Sequence, residues 1–137
     1  MQNYLGVKRV EAEPWEKDGK DGYRIIYPDG YESWSPKKVF ESAYFPIEKA
    51  NSLSPDDIDR FISISGYQNI GTKTTLVRAR LLNGFIDYEA SSCVDPANYD
   101  EAIGYEIGIG HIKDRLWKML GFVLQWADHG LEKKIEH

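Results

Sequence analysis

The stretch that decides the fold begins at Asn83-Gly84-Phe85, ends at Arg115-Leu116-Trp117, and has the polar centre Ser91-Ser92-Cys93-Val94-Asp95-Pro96-Ala97-Asn98-Tyr99-Asp100. Asn-Gly between two runs of alternating apolar residues predicts a β-hairpin, because both central residues of a two-residue turn need positive φ. The polar centre predicts a loop that leads into a helix. Polar groups, free backbone amides and aromatic rings would converge at this junction, which favours anion binding.

The register of the hairpin follows from the two-residue turn. Arg80 would face Asp87, and Arg78 would face Glu89. The opposite, apolar face is predicted to meet the core and carries Val77, Ala79, Leu81, Ile86, Tyr88 and Ala90. The two arginines are either phosphate ligands or partners in cross-strand ion pairs on a solvated face, where each pair contributes less than ~1 kcal/mol.

A long helix is predicted after the hairpin, beginning between Asp95 and Tyr99 and ending near Asp128, with Gly130 as its stop. Asp95-Pro96 supplies one start, and Asn98 with Glu101 has the spacing of a capping box. The predicted apolar stripe comprises Ile109, Ile112, Leu116, Leu120 (or Met119) and Val123.

Glycines interrupt this helix, each costing ~1 kcal/mol relative to alanine. Gly104, Gly108 and Gly110 therefore indicate a close approach, either by a partner helix across a subunit interface or by a ligand. A kink or break is expected at Gly121, and the charged tail from Leu131 is expected to fray.

The first 45 residues predict a three-stranded meander and a short helix. Strands are expected at 4–10, 22–27 and 31–34, with a loop over 11–22 and a turn at Pro28-Asp29-Gly30. Ser35-Pro36 is expected to cap the helix, which ends near Tyr44.

A linker over 45–52 is followed by Ser54-Pro55-Asp56-Asp57, the signature of a second helix cap. That helix is expected to carry Ile58, Phe61, Ile62 and Ile64 and to end at Gly66, before a polar loop over 66–74 in which a short strand is an open alternative. The sequence thus predicts an α+β fold, in which an antiparallel sheet from the N-terminal meander and the central hairpin packs against a long C-terminal helix and short helices. Residues 1–45 and 53–137 form the two predicted domains.

Composition and charge limit the classes of protein to which the chain can belong. The chain has 137 residues, 42% apolar and 28% charged, which indicates a globular protein. Its single cysteine and the lack of a signal peptide or an apolar run long enough to span a bilayer predict a cytoplasmic protein without a membrane partner. The net charge is −5 and neither half is basic, so we expect no DNA partner.

Motifs for catalysis are missing from the sequence. It contains no HExxH, CxxC, Walker or Rossmann pattern, and its histidines, at 111, 129 and 137, lack metal-type spacing. Cys93 is better explained as a small buried residue near a strand end than as a nucleophile. We expect no metal, no cofactor and a binding protein rather than an enzyme.

Residues 53–127 resemble the gene-49/gene-66 family of small phage proteins. The resemblance rests on Asn83-Gly84-Phe85, the Ser91/Cys93 spacing, Asp95 to Asp100, Ile103-Gly104, Leu116-Trp117, Gly121-Phe122-Val123-Leu124 and the opening Ser54-Pro55-Asp56-Asp57-Ile58. The first 45 residues, including Pro28 to Lys37, look like a leader module common in phages of gut Firmicutes.

Members of this family resemble the first anti-Thoeris proteins, phage sponges that sequester cyclic ADP-ribose isomers made by bacterial TIR-domain enzymes. The resemblance implies a homo-oligomer, dimer or hexamer, in the host cytoplasm, with ligand pockets between protomers. It also implies capture of CBASS cyclic oligonucleotides, such as cyclic tri-adenylate, at a second site.

The residues and the resemblance together define a hypothetical ligand site. Phe85 or Tyr105 would stack on a base, and Asn98 would hydrogen-bond a base or a ribose. The Ser91 and Ser92 hydroxyls would meet phosphate, and the charge would be neutralised by Arg78, Lys113 and Arg115. Two alternatives remain: inhibition of a host protein by direct contact, and hydrolysis of a nucleotide signal.

Overall fold

A computed structural model describes residues 1–132; residues 133–137, which include His137 and part of the predicted tail, lie outside the described part. Two antiparallel three-stranded sheets, one long helix and short helices confirm the predicted α+β class. The chain divides into two compact units. The first unit combines Met1–Asn51 with the chain from Phe122 onward, and the second unit is Ser52–Gly121.

The first unit contains a meander and one short helix. Its elements are β1 (Glu11–Pro14), β2 (Gly22–Ile26), β3 (Glu32–Pro36) and α1 (Lys37–Ala43). The sheet order is β1-β2-β3, as the meander predicts. Ile25 is buried, and the Phe40 ring of α1 stacks on Tyr23 with 4.2 Å between ring centroids.

Two details of this unit differ from the prediction. Residues 4–10 form no strand, and the first strand lies instead at Glu11–Pro14, within the predicted loop. All four residues of β1 are exposed, so the strand carries no burial pattern and is defined by backbone pairing to β2. Ser35 does not cap α1, whose N-cap is Pro36 without a side-chain hydrogen bond. The turn at Gly30 is confirmed by its φ of +88°.

The second unit places a three-stranded sheet beside helices. Its elements are α2 (Pro55–Phe61), β4 (Ile62–Ile70), β5 (Thr74–Leu81), β6 (Ile86–Ser92) and the start of α3 (Glu101–His129), and its sheet order is β4-β5-β6. The core has two parts. Val77 and Ala79 pack with Ile109 and Ile112, and the second cluster consists of Ile58, Leu81 and Leu116.

The capping box of α2 is confirmed: Ser54 Oγ accepts from Asp57 N, and the Asp57 carboxylate accepts from Ser54 N. The predicted continuation of this helix to Gly66 is wrong. α2 ends at Phe61, and Ile62–Ile70 is a strand that also occupies much of the predicted loop. The alternation Ile-Ser-Ile-Ser has period two, and pairing with β5 selects the strand over the helix.

The predicted hairpin forms, but its register differs by one residue. Leu81 N donates to Phe85 O, which leaves a three-residue loop rather than a two-residue turn. Gly84 has a φ of +88°, whereas Asn83 does not lie in the left-handed region. Asn-Gly also suits a three-residue loop in which only the glycine needs positive φ. The shift reverses the faces of β6, since Arg80 pairs with Ile86.

The long helix begins later than either predicted cap. Asp95 caps a 3₁₀ turn at Pro96–Asn98, and the Asp100 carboxylate accepts from Ala102 N at the start of α3. The helix continues without interruption through Gly121, so a break at this residue is wrong, whereas a kink there stays a prediction. Gly130 ends the helix as predicted, with a φ of +63°.

The close approach at the helix glycines is to the chain's own sheet. A Cβ on Gly104 would lie 2.8 Å from Thr75 Cβ, and one on Gly108 would lie 3.1 Å from Val77 Cβ and nearer still to a Val77 methyl group. Their neighbour is therefore β5, not a partner helix or a ligand. A Cβ on Gly110 would meet nothing within 4 Å.

Candidate functional site

The β4-β5-β6 sheet has one covered and one open face. On β5, Thr75, Val77, Ala79 and Leu81 are buried, and Val77 and Ala79 pack against α3. Alternation along the strands places the intervening residues on the other side, which we call the outer face. In cross-strand rows, the outer face carries Ile64, Arg80 and Ile86; Gly66, Arg78 and Tyr88; Gln68, Leu76 and Ala90; and Ile70, Thr74 and Ser92.

A hollow of about 380 Å³ lies on this face, and we call it the sheet hollow. It is lined by Ile64, Ser65, Gly66, Tyr67, Gln68, Leu76, Arg78 and Tyr88. Gly66 contributes no side chain to it, and a Cβ at this position would meet nothing within 4 Å. Tyr88 lies directly across β5 from Gly66 and is 52% exposed, so its ring is available to a ligand. The volume falls within the range of small-molecule sites.

Arg78 supplies the positive charge of the sheet hollow. Within residues 1–132, its guanidinium has neither an ion pair nor a hydrogen bond to a protein group, and the same holds for Arg80, two residues further along the outer face. The predicted cross-strand pairs with Asp87 and Glu89 are therefore wrong. The register shift has moved both carboxylates to the helix side of the sheet, so two cations remain available on the outer face.

Arg115 of α3 forms ion pairs with both of those carboxylates. Its Nε donates to Asp87 Oδ2 at 3.0 Å, one Nη donates to Glu89 Oε2, and the other donates to the Tyr88 carbonyl at 3.0 Å. Hydrogen bonding to Arg115 lowers the pKa of Glu89, and the two carboxylates, Asp87 first, raise the pKa of Arg115. This fork–carboxylate geometry joins the helix to β6 and leaves few donors of Arg115 for an outside anion.

Tyr105 and Lys113, two of the predicted site residues, meet in a separate side groove of about 340 Å³ between β4 and α3. The hydroxyls of Tyr105 and Ser65 are 2.6 Å apart, and Lys113 Nζ lies 3.0 Å from Asp59 Oδ1. The groove therefore offers a tyrosine ring beside an ammonium group that is already paired.

The other predicted residues are dispersed. Phe85 follows the β5–β6 loop and is 54% exposed, whereas Asn98 ends the 3₁₀ turn beyond β6. The length of β6 separates them, roughly 20 Å at ~3.3 Å per residue. Ser91 lies in the Thr75 row on the helix side, and the Ser92 hydroxyl is 2.7 Å from that of Thr74. The structure thus brings only Tyr105 and Lys113 into one cavity.

Sequence reasoning missed Tyr88 and Gly66. Tyr88 was expected to face the core because the two-residue turn places it there, and Gly66 was expected to end a helix. A tyrosine is compatible with either face of a strand, so only the register could have identified Tyr88 as a residue of the hollow. Tyr99 was also missed: its hydroxyl lies 2.7 Å from both Thr75 Oγ1 and Asn69 Oδ1 and fixes the entry to α3.

In the part of the chain that the structure describes, no three His, Cys, Asp or Glu side chains come together in a group suited to a metal ion. None of the helices within residues 1–132 has the length and apolarity needed to cross a bilayer.

The fold and the hollow define a small α+β domain whose sheet is covered on one face by a long helix and presents arginine and tyrosine on the other. Residues 53–127, more than half of the chain, match the phage protein family described as N4 Gp49/phage Sf6 gene 66, and the chain belongs to this family. Neither the curated proteins nor the solved structures include a significant match to the chain.

Proposed function

We propose that this phage protein is an anti-defence sponge that binds and sequesters cyclic ADP-ribose-type signals of Thoeris TIR enzymes in the host cytoplasm, without cleaving them. CBASS cyclic oligonucleotides such as cyclic tri-adenylate are a second ligand class in this proposal. The observation that carries it is the sheet hollow, which is lined by the exposed Tyr88 and by Arg78, whose guanidinium has no ion pair within residues 1–132. Membership of the phage family is consistent with it.

The chemistry of the hollow suits a nucleotide. A guanidinium without a protein carboxylate partner can form two parallel hydrogen bonds to a phosphate. A tyrosine ring can stack on a base, with a typical contribution of about 1–3 kcal/mol. Both groups come from adjacent strands held by backbone pairing, so their backbone positions are fixed before a ligand binds.

In this proposal Phe85 and Asn98 belong to a pocket between protomers. Because the length of β6 separates them, a ligand the size of one nucleotide cannot contact both in a single copy of the chain. Two copies could supply one residue each. A sponge acts by stoichiometry, so slow ligand release is the property it requires, and enclosure between subunits favours slow release.

The test is depletion of ligand from solution. The protein is mixed at a stoichiometric ratio with a panel of cyclic ADP-ribose isomers and cyclic oligonucleotides and filtered, and the filtrate and the heat-released material are analysed by mass spectrometry. We expect one compound to be depleted and then recovered with unchanged mass. Recovery with a changed mass would indicate a hydrolase. No depletion of any compound would refute the proposal and favour direct inhibition of a host protein.

A matched pair of variants locates the site. Arg78→Gln should weaken retention by roughly tenfold or more, as expected for loss of a hydrogen bond to a charged group. Arg80→Gln removes the same charge from the same strand and face but outside the hollow, and should change retention far less. Equal losses in the two variants would show that only net charge matters, and retention by Arg78→Gln would move the site elsewhere, with Phe85→Ala and Asn98→Ala as the next variants.

A further inference from the structure

The strand β4 is an unprotected sheet edge. Eight of its nine residues pair with β5 on one side, and no other strand within residues 1–132 pairs with it. Every residue from Ser63 to Ile70 is exposed. An edge strand presents a row of backbone N–H and C=O groups that a further strand can pair with.

Proteins usually protect such edges with charges, proline or bulges. β4, with the sequence Ile-Ser-Ile-Ser-Gly-Tyr-Gln-Asn-Ile, has neither a charged residue nor a proline. Its one irregularity lies between Ile62 and Ile64, at the start of the strand, and Ile64 to Ile70 pair regularly with β5. The opposite edge, β6, carries Asp87 and Glu89. The β6 edge thus carries charges that oppose pairing with a further strand, whereas the β4 edge carries none.

We propose that β4 of one copy pairs antiparallel with β4 of a second copy, so that the two sheets form one continuous six-stranded sheet. A row of backbone donors and acceptors requires another strand as its partner. Two identical neutral strands meet without like-charge repulsion, and antiparallel self-pairing about a two-fold axis is a closed arrangement that does not extend into fibres. In this pairing Ile64 of each copy lies opposite Gln68 of the other copy, on the outer face.

The same pairing completes the sheet hollow. Most of its lining residues belong to β4, and on that side the hollow ends at the edge of the sheet. A second β4 continues the sheet beyond that edge, so that outer-face side chains of the partner copy border the hollow. The proposed function already invokes two copies of the chain, and this pairing deepens it by naming the surface that joins them, although strand pairing itself requires no ligand.

Sedimentation velocity of the full chain, without ligand and over a wide concentration range, tests the proposal. The double variant Ile64→Lys/Gln68→Lys places two ammonium groups on the outer face of β4, where self-pairing opposes like charges. Its control, Ile86→Lys/Ala90→Lys, places the same charges in the same cross-strand rows on β6. We expect the parent and the control to be dimers and the β4 variant to dimerise at least about tenfold more weakly.

A monomeric parent at every concentration would overturn the proposal, and so would a β4 variant that dimerises as well as its control. If the β4 variant fails to fold, hydrogen exchange of the parent decides. The amides of Ser63 to Ile70 should then become protected as concentration rises, and amides that exchange at the same rate at all concentrations would also overturn it. Ligand depletion is measured separately, so a failed dimer test leaves the proposed function open to its own test.

Discussion

Gly108→Ala should destabilise the protein even though alanine favours helix. In a helix interior, replacing glycine by alanine contributes about 1 kcal/mol of stability. At Gly108, however, the new Cβ would lie 3.1 Å from Val77 Cβ and nearer still to a Val77 methyl group. Val77 has 0% exposure and lies on the central strand, so neither it nor α3 can move without disturbing the core. Overpacking of this kind costs about 1–3 kcal/mol.

The control lies two residues away on the same helix. A Cβ at Gly110 meets nothing within 4 Å, so Gly110→Ala should gain stability, up to about 1 kcal/mol. With the packing cost near its upper end, Gly108→Ala should lose about 1–2 kcal/mol relative to the parent, and the two variants should differ by about 2–3 kcal/mol. Urea denaturation followed by circular dichroism measures both.

The two variants should also differ in melting temperature, because 1 kcal/mol corresponds to about 3–5 °C for a chain of this length. If Gly108→Ala were as stable as Gly110→Ala, the close packing of α3 on β5 would be incorrect. If both were destabilised equally, the effect would belong to the helix backbone and not to contact with Val77.

Two further predictions concern polar contacts in the second unit. Arg115→Gln should remove the stabilisation of the ionised Glu89, whose pKa Arg115 lowers in the folded protein. That stabilisation is present above the unfolded pKa of about 4.3 and is lost as pH falls through the lower folded value. Urea unfolding should therefore show the variant about 1 kcal/mol less stable than the parent at pH 7 and closer to the parent at pH 3. A loss of stability that is the same at both pH values would contradict this role of Arg115. Ser54→Ala should cost about 1 kcal/mol through loss of the capping bond to Asp57 N, which urea unfolding would detect, and parent-like stability would argue against the capping box.

Local sequence signals predicted the parts of the fold that local chemistry decides. The capping box at Ser54 and Asp57 and the helix stop at Gly130 formed as expected, because each depends on neighbours within a few residues. The strand at Glu11–Pro14 could not be predicted in this way, since its residues are exposed and its conformation depends on pairing with β2. The partner of the glycines in α3 was likewise hidden, because glycine signals close approach but not what approaches.

The turn shows how a small local ambiguity changes the candidate site. Asn83-Gly84 is compatible with a two-residue and a three-residue loop, and the structure has the longer one. Because side chains alternate with period two, a shift of one residue moves every side chain of β6 to the opposite face. Tyr88 thereby leaves the core side and reaches the sheet hollow, a change that no propensity or apolar pattern in β6 indicates.

The same shift decides which arginine is available for an anion. In the predicted register, Arg78 and Arg80 would each face a carboxylate, and Arg115 and Lys113 of the helix are predicted to neutralise ligand charge. In the observed register, the carboxylates of β6 lie on the helix side, where Arg115 binds both. The two strand arginines are then left without acidic neighbours in the described chain, on the open face of the sheet. The ion pairs of Arg115 with Asp87 and Glu89 therefore stabilise the unit and also leave positive charge where a nucleotide could reach it. Loss of Arg78, rather than of Arg115, should accordingly have the larger effect on ligand retention.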